Sequence, residues 1–331
     1  MRLHRALALV CILAPITAAE QGTLIVLNKS DHQAAIVNPA TFKVIVKLPT
    51  GQGPHEATVS PDGRWAYVSN YGSFRIFQQG ERPRMEPGNT ITVLDLKARA
   101  VKATFDLGAY RSPHGIWVSR DGKRLWVSCE GAKAVLELEA SSGTIRKAWK
   151  TDQEVSHMLV PTRDERKLYV ANIGSGSVTV IDRVSGAVKS IPTGAGAEGI
   201  DLRPDGREVW VTNRGANTIS VMDTDTDTVK ETFPSGGTMP IRVKFTPDGK
   251  EAWVSNARSN QVTVFDARTR KLLATVEVGA VPVGIQMTPD GRRAFVANTN
   301  DNQVTVLDVP RRKVLHSFTT GNEPDGMAWA K

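Results

Sequence analysis

A segment of about 42 residues recurs along the chain, and this repeat constrains the possible fold more than any other feature of the sequence. Each copy contains an apolar or aromatic segment that ends in Asn or, once, in Cys: 24–28, 66–70, 125–129, 168–172, 209–213, 252–256 and 294–298. The final positions of successive copies are 42, 59, 43, 41, 43 and 42 residues apart. This period, with β-branched and aromatic residues in each copy, is typical of the four-stranded blades of a β-propeller.

The rest of each copy supplies the other three strands of a blade. A short apolar segment such as Ala57–Ser60 precedes a Pro-Asp-Gly turn, and the turn leads into the Asn-ending strand. Pro presets φ and Gly allows positive φ, so the tripeptide predicts a tight connection between two strands. An alternating third strand follows, as in Val262–Asp266, and then a fourth, as in Leu272–Val278.

The two ends of the repeat array indicate how the ring closes. The segment Asp325–Lys331 matches a first strand, and the segment that starts at Thr23 matches a second strand. We therefore expect one blade to combine three N-terminal strands with one C-terminal strand, which removes the exposed edges of an open sheet. The prediction is an all-β, seven-bladed propeller that forms a single domain over residues 20–331.

The first 19 residues have the pattern of an export signal. Arg2 and Arg5 precede the apolar stretch 7–16, which is too short to cross a bilayer, and Thr17–Ala19 provides small residues for cleavage. We therefore expect cleavage after Ala19 and a periplasmic or secreted protein. No later segment has the apolar length of a membrane span.

The chain is basic, but the distribution of its charge argues against nucleic-acid binding. Lys and Arg exceed Asp and Glu by 42 − 34 = 8, and removal of the two signal-peptide arginines leaves 8 − 2 = +6. No run of five or more basic residues concentrates this charge, and basic residues are not interleaved with aromatic ones along a strand. The expected partner is instead a small molecule or peptide at the mouth of the axial channel, and we expect a monomer.

The Tyr/Trp-Val-Ser/Thr-Asn strands and Pro-Asp-Gly turns resemble those of the YVTN-repeat, YncE-like β-propellers. The resemblance extends over nearly the whole mature chain. It implies the fold but leaves function open, since similar rings serve as binding proteins, redox partners and enzymes. Similar repeats also occur in quinoprotein dehydrogenase subunits and in haem d1 domains, which suggests a periplasmic redox partner as one further possibility.

The position six residues before the turn proline departs from the repeat. Around the ring it contains His55, His114, His157, Glu198, Ile241, Val283 and Asp325. Alignment places it at the start of each innermost strand, where it faces the axial channel. Three of the five mature histidines share this position, which predicts a metal site formed by His55, His114, His157 and Glu198.

Imidazoles with one carboxylate suit zinc, copper or iron, and an open coordination position would allow chemistry on a small substrate. Glu198 is the candidate general base, and Tyr71, Arg214, Arg242 and Asp325 are candidate binding residues. This hypothesis describes a metal-dependent lyase, hydrolase or oxidase. Two other readings remain open: a water-filled channel lined by polar side chains, and histidines that bond loop carbonyls. A non-catalytic binding module or redox accessory subunit is the alternative function.

Two further departures from the repeat lie near the same mouth. The longest spacing has 59 − 42 = 17 extra residues between positions 71 and 88, which could form a lid over the channel or a mobile surface loop. Cys129 replaces the Asn of its copy and could act as a thiolate ligand or as a buried core residue. The Asn residues themselves are expected to be structural.

Two segments match known binding motifs but lack the surrounding sequence that those motifs require. Gly194–Gly199 matches GxGxxG but lies between two strands with no helix to follow, so it does not predict a dinucleotide site. Asp223–Asp227 resembles the start of a calcium loop, but Thr228 and Pro234 occupy positions that need Gly and Glu.

Overall fold

The protein forms a ring of seven four-stranded antiparallel sheets, described for residues 22–72 and 87–331 of a computed structural model. The first strands, innermost in the ring, are β4 (Pro54–Val59), β8 (Pro113–Val118), β12 (Ser156–Pro161), β16 (Ala197–Leu202), β20 (Pro240–Phe245), β24 (Pro282–Met287) and β28 (Pro324–Ala330). The second strands are β1 (Thr23–Asn28), β5 (Trp65–Gly72), β9 (Arg124–Cys129), β13 (Lys167–Asn172), β17 (Glu208–Asn213), β21 (Glu251–Asn256) and β25 (Arg293–Asn298).

The two outer strands complete each blade. The third strands are β2 (Gln33–Asn38), β6 (Pro87–Asp95), β10 (Ala134–Glu139), β14 (Ser177–Asp182), β18 (Thr218–Asp223), β22 (Gln261–Asp266) and β26 (Gln303–Asp308). The fourth strands are β3 (Lys43–Pro49), β7 (Ala100–Asp106), β11 (Ile145–Lys150), β15 (Val188–Pro192), β19 (Thr228–Pro234), β23 (Leu272–Glu277) and β27 (Lys313–Thr319). Two short 3₁₀ turns, Glu130–Ala132 and Thr299–Asp301, follow second strands.

The ring closes as the sequence predicts. Strand β1 pairs antiparallel with β28, and the sheet order β28-β1-β2-β3 combines both ends of the chain in one blade. We number this blade 1, and blades 2 to 7 follow in chain order from β4. Each first strand packs against the first strand of the next blade, including β24 against β28 and β28 against β4. The seven-bladed prediction is confirmed.

Apolar side chains from neighbouring blades form the core between the sheets. The aromatic residues of the second strands are its largest fully buried members: Trp126, Trp210, Trp253, Tyr169 and Phe295. The fourth strands face solvent on the outside of the ring, with exposed residues such as Leu315. Within the described ranges, no helix has the length and apolar composition needed to span a membrane.

A hydroxyl group on the second strand joins the first strands of adjacent blades. Ser255 Oγ accepts a hydrogen bond from Arg242 N at 3.1 Å and donates to the carbonyl of Val283, in the next blade, at 2.8 Å. The same two-sided bonding recurs in three other blades through Ser69, Ser128 and Thr212. Its acceptors in the next blade are the carbonyls of His114, His157 and Ile241. The repeat therefore fixes the backbone of the channel-facing position.

The Asn residues at the ends of the second strands are structural. Asn172 Nδ2 donates to the hydroxyls of Ser177 and Thr179 on the third strand, at 3.1 and 3.0 Å. Asn213 makes the equivalent bonds to Thr218 and Ser220. These amides hold the end of each second strand against the third strand.

We expect Ser255→Ala to lower the free energy of unfolding by about 1–3 kcal/mol, because it leaves a buried N–H and a buried carbonyl without their partner. Ser255→Thr is the matched control, since Thr212 fills the same position in blade 5. Urea unfolding of both variants tests the expectation. Equal stability of Ser255→Ala and the wild type would show that the hydroxyl does not join the blades.

Candidate functional site

The channel-facing side chains of the first strands lie at a β-bulge in every blade. In blade 2 the register of β4 against β5 shifts between Pro54 and Glu56, on either side of His55. Equivalent shifts occur at the start of all seven first strands. A bulge bends the strand and re-aims a side chain, which explains why the second residue of each first strand lines the axial cavity.

Three histidines of this ring pack against one another in a row, called here the histidine stack, with their ring planes tilted. The ring centroids of His55 and His114 are 4.4 Å apart, and those of His114 and His157 are 3.5 Å apart. Tyr71 packs beside them, with its ring 5.1 Å from that of His55. His114 is only 2% exposed, and neither of its ring nitrogens has a hydrogen-bond partner among the described residues. A buried polar group in that state costs about 1–3 kcal/mol, so it needs an explanation.

A second ring of side chains begins immediately after the second strands. The position that follows the terminal Asn or Cys contributes Lys29, Tyr71, Glu130, Ile173 and Arg214 to the cavity wall. Glu130 was not among the residues singled out from the sequence. Its signal lies one position beyond the Asn column, where the side chains differ from blade to blade. That position carries charged or aromatic side chains in blades 1, 2, 3 and 5, which is the signal that could have revealed it.

The two rings meet in ion pairs. Glu130 contacts His157 Nδ1 and accepts a hydrogen bond from the Tyr71 hydroxyl at 2.6 Å. On the other side of the imidazole, His157 Nε2 lies 3.5 Å from a carboxylate oxygen of Glu198. Arg214 Nη1 contacts the same carboxylate at 3.0 Å.

A second pair lies in blade 1. Lys29 Nζ is 2.9 Å from Asp325, whose carboxylate is also 3.7 Å from His55 Nε2. Burial would raise the pKa of Asp325, but Lys29 and His55 outweigh it and the pKa is lowered. Asp325 is therefore held as an anion beside the histidine stack.

A third ring forms the floor of the cavity. The residue after each channel-facing position is glycine in blades 1, 3, 5 and 7 and a long side chain in the other three: Glu56, Met158 and Arg242. Glycine is needed where the next first strand comes close; a Cβ on Gly326 would lie 2.1 Å from the carbonyl of His55. The three long side chains meet across the channel, where Arg242 forms a buried ion pair with Glu56 and its Nη1 is 3.1 Å from Met158 Sδ.

This floor separates two cavities. The one toward the histidines has a volume of about 390 Å³, which is within the range of small-molecule sites. The one on the other side has a volume of about 260 Å³; it shares Glu56 and Arg242 with the upper cavity and is also lined by Met158. The upper cavity has a polar side in blades 1 to 5 and an apolar side formed by Met239, Ile241 and Val283.

The protonation states of the histidines follow from their neighbours. Burial lowers the pKa of His55 to about 3, and burial lowers that of His114 well below its usual value. Burial would lower the pKa of His157 as well, but the Glu130 and Glu198 carboxylates outweigh it and raise the value to about 9. The site therefore contains two neutral imidazoles and one imidazolium at neutral pH.

A sequence model of the YncE-like β-propeller family matches residues 111–288, more than half of the chain. The chain belongs to this family. A search of curated proteins found no significant match.

Solved structures similar to this YncE-like propeller show the shared fold. Hydrazine synthase of Kuenenia stuttgartiensis aligns at a TM-score of 0.75 and 22% identity over 88% of this chain and 93% of that one. NirN, a dihydro-heme d1 dehydrogenase, aligns at 0.66 and 18% identity over 92% and 74% of the two chains. A putative 6-phosphogluconolactonase of Bacteroides fragilis aligns at 0.75 and 14% identity over 96% and 100%.

In this YncE-like propeller eight candidate residues from the sequence line the upper cavity. The set comprises His55, Tyr71, His114, His157, Glu198, Arg214, Arg242 and Asp325. The residues whose possible ligand atoms lie within 4.8 Å of one another are His114, Glu130 and His157. His55 and Glu198 flank this group. Arg242 lies in the floor, with its guanidinium committed to Glu56.

Three predictions from the sequence remain: the role of Cys129, the insertion at 71–88 and the export signal at 1–19. Cys129 is free and fully buried among apolar residues that include Tyr67 and Val127, and burial raises its pKa, so it resembles a core residue. Of the insertion at 71–88, Tyr71, Gly72 and residues 87–88 belong to the β5/β6 hairpin. The rest of the insertion and the signal at 1–19 lie outside the described residues.

We expect Arg242→Met alone to lower the free energy of unfolding by about 3–5 kcal/mol, because it leaves the Glu56 carboxylate buried without its cation. The double variant Glu56→Gln/Arg242→Met should recover most of that loss, since it removes both charges. Urea unfolding of the single and double variants measures the difference. If the double variant is no more stable than the single one, Arg242 acts through packing and not through the ion pair.

Proposed function

We propose that this propeller is a metal-dependent enzyme whose axial cavity binds a divalent transition metal through His114, His157 and Glu130, with His55 beside them. The observation that carries the proposal is the state of His114. Both of its buried ring nitrogens lack a hydrogen-bond partner among the described residues, although a carboxylate and two further imidazoles surround it. A metal ion would use a nitrogen lone pair that is otherwise unsatisfied.

The distances support the proposal. Ligands of a tetrahedral ion with bonds near 2.1 Å lie about 3.4 Å apart, so atoms that are within 4.8 Å of one another need to converge by at most about 1.4 Å. Two imidazole nitrogens and one carboxylate suit zinc, copper or iron(II), and the metal would displace the proton that the Glu130 and Glu198 carboxylates hold on His157.

The arrangement around the ligands resembles that of a catalytic metal site. Three protein ligands leave one position for substrate or water, and the cavity of about 390 Å³ provides the space. The metal would polarise that molecule as a Lewis acid. The Glu198 carboxylate, 3.5 Å from His157 Nε2, would accept a proton, and the hydrogen bond from Tyr71 would orient Glu130.

The proposal also includes the cellular location of the protein. The pattern of residues 1–19 supports export to the periplasm. Two structural neighbours, hydrazine synthase and a dihydro-heme d1 dehydrogenase, support the idea of a redox partner there. A peptide ligand at the cavity mouth and action as a monomer remain compatible with this function.

We expect the protein purified from a periplasmic fraction to contain stoichiometric transition metal by mass spectrometry, and His114→Phe to lose it. Phenylalanine keeps an aromatic ring between His55 and His157 but offers no lone pair. His316→Ala, which alters an exposed strand on the outside of the ring, is the matched control and should retain the metal. A fully folded, metal-free wild type that takes up no added zinc, copper or iron would overturn the proposal.

Metal removal supplies a second expectation. A ligand that binds the folded state raises its stability, so a chelator should lower the melting temperature of the wild type. The same chelator should leave His114→Phe unchanged. Differential scanning calorimetry with and without chelator measures both values, and an equal shift in the two proteins would contradict a site at His114.

A further inference from the structure

The two arginines of the upper cavity differ in what they can offer a ligand. Arg242 is 7% exposed and lies in the floor, where Glu56 and Met158 hold its guanidinium. The side chain of Arg214 is 31% exposed and lies at the mouth. It contacts Glu198 through Nη1, and its Nε and Nη2 donate to no group among the described residues. Arg214 therefore keeps hydrogen-bond donors for a ligand.

The backbone positions Arg214 for this role. Its N–H donates to the carbonyl of Gly196 at 2.9 Å. Gly196 has a φ of +75°, and a Cβ there would lie 2.8 Å from Cγ of Arg214. Glycine thus leaves the space in which the arginine stem lies, at a position where the sequence matched a nucleotide-binding motif. The glycine is explained by Arg214 and not by a phosphate.

The partner of Arg214 has a second polar neighbour. Glu198 is 7% exposed at its side chain and lies 3.5 Å from His157 Nε2 as well as 3.0 Å from Arg214. A histidine that binds a metal through one ring nitrogen keeps an N–H on the other, so a ligand anion that takes the guanidinium would leave Glu198 beside a hydrogen-bond donor and not as an isolated buried charge, which would be costly. Replacing the Glu198 carboxylate at Arg214 by the carboxylate of a ligand would therefore cost little free energy.

The balance of charge also favours an anion. With His157 neutral as a metal ligand, the cations Lys29, Arg214 and Arg242 face the four carboxylates Asp325, Glu130, Glu198 and Glu56. A divalent metal would then leave one excess positive charge in a buried site, which an anionic ligand would neutralise.

The opposite wall indicates what else the ligand carries. Met239, Ile241 and Val283 face the histidines across the cavity, and no charged side chain is contributed to the lining by blade 7. A bound inorganic ion would leave these apolar side chains exposed to water. A molecule with an apolar part would bury it, at about 25 cal/mol per Å² of apolar surface.

We propose that the cavity binds a small organic carboxylate, with its carboxylate on Arg214 and its apolar part on Ile241 and Val283. This inference rests on the proposed function, since it names the substrate class of the same metal site. The apolar wall sets the remainder of the molecule beside the histidine stack, where the metal would act on it.

Isothermal titration calorimetry of the zinc-loaded protein with hexanoate tests the inference. We expect hexanoate to bind, its neutral isostere hexanamide to bind at least tenfold more weakly, and Arg214→Gln to weaken hexanoate by about 10- to 100-fold. Arg258→Gln is the matched control, because Arg258 follows the second strand of the next blade, is exposed and does not line the cavity. Its affinity for hexanoate should equal that of the wild type.

A variant of the apolar wall tests the second contact. Val283→Ala removes two methyl groups and should weaken hexanoate by about tenfold while leaving acetate unchanged, since acetate has no chain to reach the wall. If both ligands weaken equally, the apolar contact is overturned. If Arg214→Gln binds hexanoate as the wild type does, the carboxylate position is overturned.

Metal analysis of the same samples separates this inference from the proposed function. Arg214→Gln should retain its metal, because Arg214 is not among the grouped ligands. Protein that contains metal but binds no carboxylate would overturn the substrate class and leave the metal site intact. Protein that takes up no metal but binds hexanoate through Arg214 would overturn the metal site and support the anion pocket.

Discussion

The hydrogen bonds between the first strands of neighbouring blades are the interaction on which the rest of the structure depends. A Ser or Thr hydroxyl of the second strand accepts from an N–H of its own blade and donates to the carbonyl of a channel-facing residue in the next blade. Because both partners are buried backbone groups, loss of one bond leaves polar atoms unsatisfied. The hydroxyl therefore fixes the height and direction of the side chains that line the cavity.

This constraint explains how a nearly symmetric ring carries an asymmetric site. The hydroxyls hold the channel-facing backbone of four first strands, and the same β-bulge occurs in all seven, so blades can differ in three positions without a change of fold. Blades 1 to 5 place polar residues in the channel-facing ring, and blades 6 and 7 place Ile241 and Val283 there. The long side chains of the floor alternate with glycines because, at the glycine positions, a Cβ would collide with the backbone of the next first strand. The cavity therefore gets its chemistry from side chains that differ between blades at equivalent positions of the repeat.

The fold and the histidine column could be predicted from the sequence because both depend on the repeat. Equivalent positions in a propeller share a height and a direction, so His55, His114 and His157 had to meet at one mouth. The partners of the charged residues could not be predicted in this way. Arg242 pairs with Glu56 across the channel, 186 residues away, and Arg214 pairs with Glu198 in its own blade. Which carboxylate a long side chain reaches depends on its rotamer and on neighbouring space, and a column alignment contains neither.

The buried ion pairs also imply an order in which the proposed metal and carboxylate would bind. Before any ligand binds, each buried carboxylate already has a cation, and burial keeps His55 and His114 neutral. Lone pairs on neutral imidazoles attract a metal ion, whereas an anion meets a site without net charge. A divalent ion bound as proposed would bring an excess positive charge that attracts an anion to Arg214, while Glu198 keeps His157 as its neighbour. By linkage, each ligand would then raise the affinity for the other by the same factor, so metal and carboxylate would act as a coupled pair.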